Sequence, residues 1–249
     1  MTHGVRFALG MLTVFPVRVT RVDREVVGQA MVLAPAVGLA LGALAGLALL
    51  LPGPPLLGAG LALGSLAVLT RGLHLDGLAD LADGLGSGKP AAQALDIMKK
   101  SDIGPFGVMT LVFTLFIQAG ALSATGWHAL VTACVTGRLA LTWACRSGVP
   151  AARSDGLGAL AAGTVRPAAA WPATLACLAA VAALGAAAPT APGVPSAVVL
   201  PASLLAGLGA ALLLLRHARR RLGGVTGDVL GALVETASAT ALVACAMLG

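Results

Sequence analysis

Val26-Val-Gly-Gln-Ala-Met-Val-Leu-Ala-Pro-Ala-Val-Gly-Leu-Ala-Leu-Gly-Ala-Leu-Ala-Gly-Leu-Ala-Leu-Leu-Leu51 runs on without one charged side chain. As a helix rising about 1.5 Å per residue, it outreaches the roughly 30 Å of hydrocarbon in a bilayer. Comparable runs cover about 56–73, 103–125, 128–146, 168–188, 196–215 and 229–248. Breakers part several of them: Pro52-Gly53-Pro54-Pro55, then Gly126, then the 189–195 stretch from Pro189 to Pro195. Residues 5–15 are apolar but end at Pro16, too short to cross, and predict an interfacial segment with its arginines toward anionic headgroups. The expected fold is all-α. It is a single-domain, polytopic integral membrane helical bundle over 1–249, with about seven transmembrane helices. Residues 1–25 form an interfacial or cytoplasmic lead.

Composition agrees. Hydrophobic residues make up 58% of the chain and charged ones 10%, with a mean hydropathy of +0.94. Soluble domains carry charge on about a quarter of their residues. Small Ala and Gly side chains suit close helix approach in lipid. A formal charge of +6 would suggest nucleic acid in a soluble protein. In a membrane protein it records orientation, so no nucleic-acid partner is expected. The segment before the first span and the 74–102, 147–167 and 216–228 loops are basic, whereas 52–55, the turn at 126, 189–195 and the tail are neutral. That strict alternation predicts a cytoplasmic N-terminus in the inner membrane, with the basic loops on the cytoplasmic side. Cys134, Cys145, Cys177 and Cys245 sit in apolar runs at no metal-ligating spacing and read as small buried hydrophobes. No cleavable signal peptide is evident in residues 1–25.

The chemistry concentrates in His74-Leu-Asp-Gly-Leu-Ala-Asp-Leu-Ala-Asp-Gly84, which holds three of the chain's ten acidic residues. Asp76, Asp80 and Asp83 are four and seven apart, so one helix face carries all three, at the edge of the membrane. Carboxylates so placed repel each other unless a hard divalent cation such as Mg²⁺, shared with substrate phosphates, offsets them. A solvated helix end is the bland alternative, but acids this close to a membrane core are usually functional. His74 faces the other side of that helix, and reads evenly as an interfacial residue or as a base.

A second group is Leu95-Asp-Ile-Met-Lys-Lys-Ser-Asp-Ile-Gly-Pro-Phe-Gly107. Lys99, Lys100 and Ser101 are candidate phosphate contacts, and Asp102 is placed to cap the next helix ahead of Gly104-Pro105. Gly84-Leu-Gly-Ser-Gly-Lys-Pro90 is no phosphate loop, because Asp83 and Pro90 stand where Gly and Ser or Thr are needed. A third group, Leu222-Gly-Gly-Val-Thr-Gly-Asp-Val-Leu-Gly-Ala-Leu-Val-Glu235, is a Gly-rich turn followed by Asp228 and, two turns on, Glu235. It pairs with the triad as the second wall of a metal site, with Thr226 as a phosphate-contact candidate. Arg138, mid-span, calls for an anion partner inside the bundle.

Taken with Ala34-Pro-Ala-Val-Gly-Leu-Ala-Leu-Gly42, these motifs resemble the cobalamin synthase family, the adenosylcobinamide-GDP ribazoletransferases, over nearly the whole chain. Many members read Met-basic-Asp-Ser-basic where this chain reads Met98-Lys-Lys-Ser-Asp102, an acid and a base exchanged about Ser101. The resemblance implies an integral membrane, Mg²⁺-dependent transferase. It would move the adenosylcobinamide-phosphate moiety of adenosylcobinamide-GDP onto α-ribazole or its 5′-phosphate, releasing GMP. It further implies Asp76, Asp80, Asp83, Asp228 and Glu235 as Mg²⁺ ligands and Arg138, Lys99, Ser101 and Thr226 at the phosphates. One of the triad carboxylates, or His74, would take the acceptor proton. Self-association and association with other late corrinoid-pathway enzymes fit the same picture. A CDP-alcohol phosphotransferase shares the clustered aspartates, but its pattern has Ala-Arg after the second aspartate and a fourth aspartate four residues after the third, where this chain has Leu81-Ala82 and Ser87. A cation transporter would place acids mid-span on several helices, and here Glu235 alone does so.

Overall fold

The computed structural model describes residues 2–188 and 193–249, so the 189–192 part of the predicted neutral connection lies outside the described residues. The helices in chain order are α1 (Thr2–Leu12), α2 (Arg24–Gly46), α3 (Pro55–Leu69), α4 (Leu73–Gly86), α5 (Ala91–Ile97) and α6 (Pro105–Thr125). There follow α7 (Trp127–Ala144), α8 (Gly156–Ala161), α9 (Pro167–Ala186), α10 (Ser196–Leu222) and α11 (Gly227–Leu248). A 3₁₀ turn, Leu47–Leu50, prolongs α2, and no strand occurs among the described residues.

Local chemistry sets the helix ends. Asp23 accepts hydrogen bonds from the amides of Glu25 and Val26 and so starts α2. Thr226 accepts from Val229 N and starts α11. Prolines at the first turns of α3, α6 and α9 occupy positions whose N–H has no intrahelical partner. Pro35 lies inside α2 and cannot donate to the carbonyl of Met31. Thr142 of α7 donates to that carbonyl instead, at 2.7 Å, so the proline's lost bond becomes a tie between two helices. The same pair closes at Gly42, where a Cβ would come within 2.8 Å of the Val131 Cα.

Five helices are long and apolar enough to cross a membrane: α2 with its 3₁₀ extension, α6, α9, α10 and α11. The bent pair α3 and α4, turned by 90°, adds a sixth if counted as one broken span. Two of the about seven expected spans do not pass on length and composition alone. The second predicted span is only the 15 residues of α3, stopped by Arg71 (φ 56°) and Gly72 (φ 66°) before the chain turns into α4. The 128–146 run is α7, the buried axis of the bundle, with every side chain from Ala129 to Ala144 enclosed by its neighbours. The protein is a multi-pass, all-α membrane bundle.

The predicted basic loops meet at one end. Arg24 donates to the carbonyls of Ala159 and Ala162, Arg219 to Gly148 O, and Arg221 to Lys89 O. Val225 N donates to Pro150 O while Ala152 N donates to Val225 O. The predicted interfacial segment is α1, which buries Phe7, Ala8 and Leu12 and leaves Val5 and Arg6 exposed. Arg71 ties its end to the α3–α4 bend by donating to Gly10 O and Met11 O.

Candidate active site

At its 14 residues, α4 reaches only about 21 Å, too short to cross the bilayer. It lies against α11 and α6 at the basic end. Two glycines permit this: a Cβ on Gly77 would stand 2.8 Å from the Asp228 carbonyl oxygen, and one on Gly231 would stand 3.2 Å from the His74 Cα. Backbone contact at Gly77 brings Asp228 beside Asp76 and Asp80, the pairing expected from the two acidic motifs.

The three triad members differ in surroundings. Asp76 is exposed and Asp80 half-buried, while Asp83 is buried. Burial, reinforced by the charges of Asp76, Asp228 and Asp83, pushes Asp80 up to about 7, against a weaker pull from Arg153. That is the electrostatic signature of clustered, under-compensated carboxylates. Asp83 is occupied elsewhere: its two oxygens accept from Gly104 N at 2.7 Å and Gly107 N at 2.9 Å. It caps α6 from 21 residues upstream. Asp102, expected to be that cap, does not serve, because the helix starts at Pro105 behind Gly104 and Asp83 already holds the free amides.

Asp228, in the first turn of α11, accepts from the Thr226 hydroxyl at 3.2 Å and stands 3.8 Å from the Arg153 guanidinium. Thr226 is buried, and its hydroxyl is committed to Val229 N and Asp228, which makes it a holder of Asp228. Arg153 also donates to Leu95 O, and its Nε has no partner. This cation belongs to the site, although in the sequence it is one of the charges of the basic 147–167 loop. No local pattern marks it, since 75 residues separate it from Asp228. Lys99 is exposed and 3.6 Å from Asp155, two residues beyond Arg153. Ser101 is exposed in the connection before α6.

His74, Arg138 and Glu235 are not with the aspartates. They line an internal cavity of about 40 Å³ together with Gln118 and Ser238. His74 Nδ1 is 3.4 Å from an Arg138 Nη, and Gln118 donates to Glu235 at 2.9 Å. Arg138 shares this chamber with Glu235, but no ion pair joins them among the described residues. Among the described residues, no three His, Cys, Asp or Glu side chains form a ready cage for a metal. Asp76, Asp80 and Asp228 gather negative charge in one place without forming a ready ligand set.

The fold defines a multi-pass helical membrane protein with clustered aspartates and one arginine at its basic end. Comparison with known proteins gives the particular family. The family model for cobalamin-5-phosphate synthase matches residues 4–246. A protein of Frankia casuarinae named adenosylcobinamide-GDP ribazoletransferase is 44% identical, over 99% of this chain and 95% of its own. Proteins of the same name from a Nocardioides species and from Chlorobaculum tepidum are 41% and 35% identical, over 99% and 96% of this chain and 99% and 93% of theirs. No solved structure matches the chain. The chain belongs to the cobalamin-5-phosphate synthase family, and it is a transferase acting on small molecules at a bilayer.

Proposed function

We propose that this protein transfers the adenosylcobinamide-phosphate moiety of adenosylcobinamide-GDP to the hydroxyl of α-ribazole or its 5′-phosphate, releasing GMP. The observation that carries the reading is the convergence of Asp76, Asp80 and Asp228 with Arg153, from three segments remote in sequence, at one end of the bundle. The acceptor oxygen attacks the corrinoid-side phosphorus of the diphosphate. The P–O bond to the guanosine phosphate breaks, and the acceptor's proton passes to a base. Such a transfer needs position and charge neutralisation more than covalent help from the protein.

Mg²⁺ held by Asp76, Asp80 and Asp228 would supply that neutralisation. Asp83 supports the site through the α6 cap. Arg153 faces the same space and is suited to a phosphate oxygen, with Lys99 and Ser101 at its rim. A carboxylate of the same cluster, or His74, takes the acceptor's proton. The positive-inside pattern supports a cytoplasm-facing site in the inner membrane. The family match favours neither the CDP-alcohol nor the transporter reading.

The test is GMP release by washed membranes supplied with adenosylcobinamide-GDP, α-ribazole and Mg²⁺. Asp80→Asn should insert normally and lose transfer, and chelation should silence the native protein until Mg²⁺ is restored. Near-native GMP release from Asp80→Asn would overturn the assignment.

A further inference from the structure

Away from the acidic cup, α2 and α9 part over α7 and leave an open trough of about 440 Å³. Its floor is Val131 and Val135, with Leu33 and Leu39 of α2 on one wall and Ala176 and Ala180 of α9 on the other. The trough exists because α9 presents alanines there, where larger side chains would fill it. At its basic-end mouth it joins a second hollow of about 620 Å³, the two sharing Val32 and Leu33. This mouth carries Arg24 at the start of α2 and Arg166 at the start of α9.

Two observations say what belongs there. First, the mouth is positively charged and uncompensated. Neither Arg24 nor Arg166 has a carboxylate partner among the described residues. Arg24 spends its N–H groups on carbonyls, which leaves its charge intact. Glu25 also borders the hollow, but Arg21 holds it at 3.1 Å. Second, the depth matches one lipid leaflet. From Arg24 to Leu39 the groove follows α2 for about 22 Å at 1.5 Å per residue, close to half of the roughly 40–45 Å of a whole bilayer. Trp171, 60% exposed in the early turns of α9 and edge-on to Trp143 at 4.9 Å, sits where an aromatic belt meets headgroups.

We infer that this groove is a binding site for one anionic phospholipid of the leaflet at the basic end, its phosphate between Arg24 and Arg166 and one acyl chain along the alanine face of α9. None of the residues assigned to the transfer lines this face. The lipid would fill a gap between helices that the protein itself leaves open.

The experiment uses the full chain, purified in detergent and stripped of lipid, then given phosphatidylglycerol or phosphatidylcholine of identical chains. Native mass spectrometry counts bound lipid, and thermal unfolding reads its effect. One phosphatidylglycerol per chain should be retained, and the unfolding midpoint should rise more with it than with phosphatidylcholine. Arg166→Gln should weaken phosphatidylglycerol binding about fivefold, the worth of roughly one surface cation, and erase the headgroup preference. Ala176→Phe projects into open space, so it should fold while losing the lipid. Equal binding of the two lipids, or native retention by both variants, would overturn the site. So would a shift from dimer to monomer in Ala176→Phe, which would make the trough a seat for a second copy.

Discussion

Asp80 and Asp83 lie three residues apart on one helix and do opposite things. Asp83 satisfies two amides, so Asp83→Ala should cost about 1–3 kcal/mol by leaving them unpaired, visible as a lower unfolding midpoint. Asp80 is a carboxyl whose charge is resisted. In the folded, metal-free protein it keeps its proton up to about 7, while an unfolded Asp releases it near the ordinary value of 3.8. Between those values the folded state binds more protons, so stability should fall as pH rises from about 4 to about 7. The unfolding midpoint of chelated protein should therefore drop across that window, and Asp80→Asn should flatten the slope. A native slope in that variant would show that another group is responsible. The aspartates were visible as chemistry in their spacing alone. Their division of labour was not, because it depends on what Gly104, Gly107 and Asp228 bring up to them.

Among the elements, α4 is the one whose placement makes the site. It owes that placement to Gly77, where backbone meets backbone across α11. Gly77→Ala puts a methyl 2.8 Å from the Asp228 oxygen, and the two helices must separate. A displacement of this order should lower kcat by about 10²-fold without preventing insertion, measured as GMP release against membrane-bound protein. The apolar runs announced nearly every long helix. What they did not announce is that α3 stops after 15 residues or that α7 is wholly enclosed. Hydropathy reports whether a segment tolerates lipid, and an interior helix passes much of that test without ever meeting lipid. The helix ends followed local rules at Asp23 and Thr226, and failed at Asp102, whose job a distant side chain had taken.

At the scale of the molecule, the arginine-bearing loops gather on one end and bind one another through backbone carbonyls. Orientation follows if that end is cytoplasmic. All four native cysteines are buried, so a single added thiol can report it. Ser154→Cys should react with an impermeant maleimide only after the inner face is opened, whereas Gly53→Cys should react in intact cells. The reverse pattern would turn the protein over and place the acidic cup outside.

By itself the sequence determined the helical membrane bundle, its basic and neutral ends, the family and the acidic motifs. Each of these is written in local composition or in spacing along one helix. Tertiary structure alone decided which charges share a space. It put Arg153 with Asp228, took Asp83 for a helix cap, and drew His74, Arg138 and Glu235 into a separate chamber. The physical reason is range: helix periodicity orders side chains only a few turns apart, whereas electrostatic partnership depends on distances that close packing at glycines sets between remote segments.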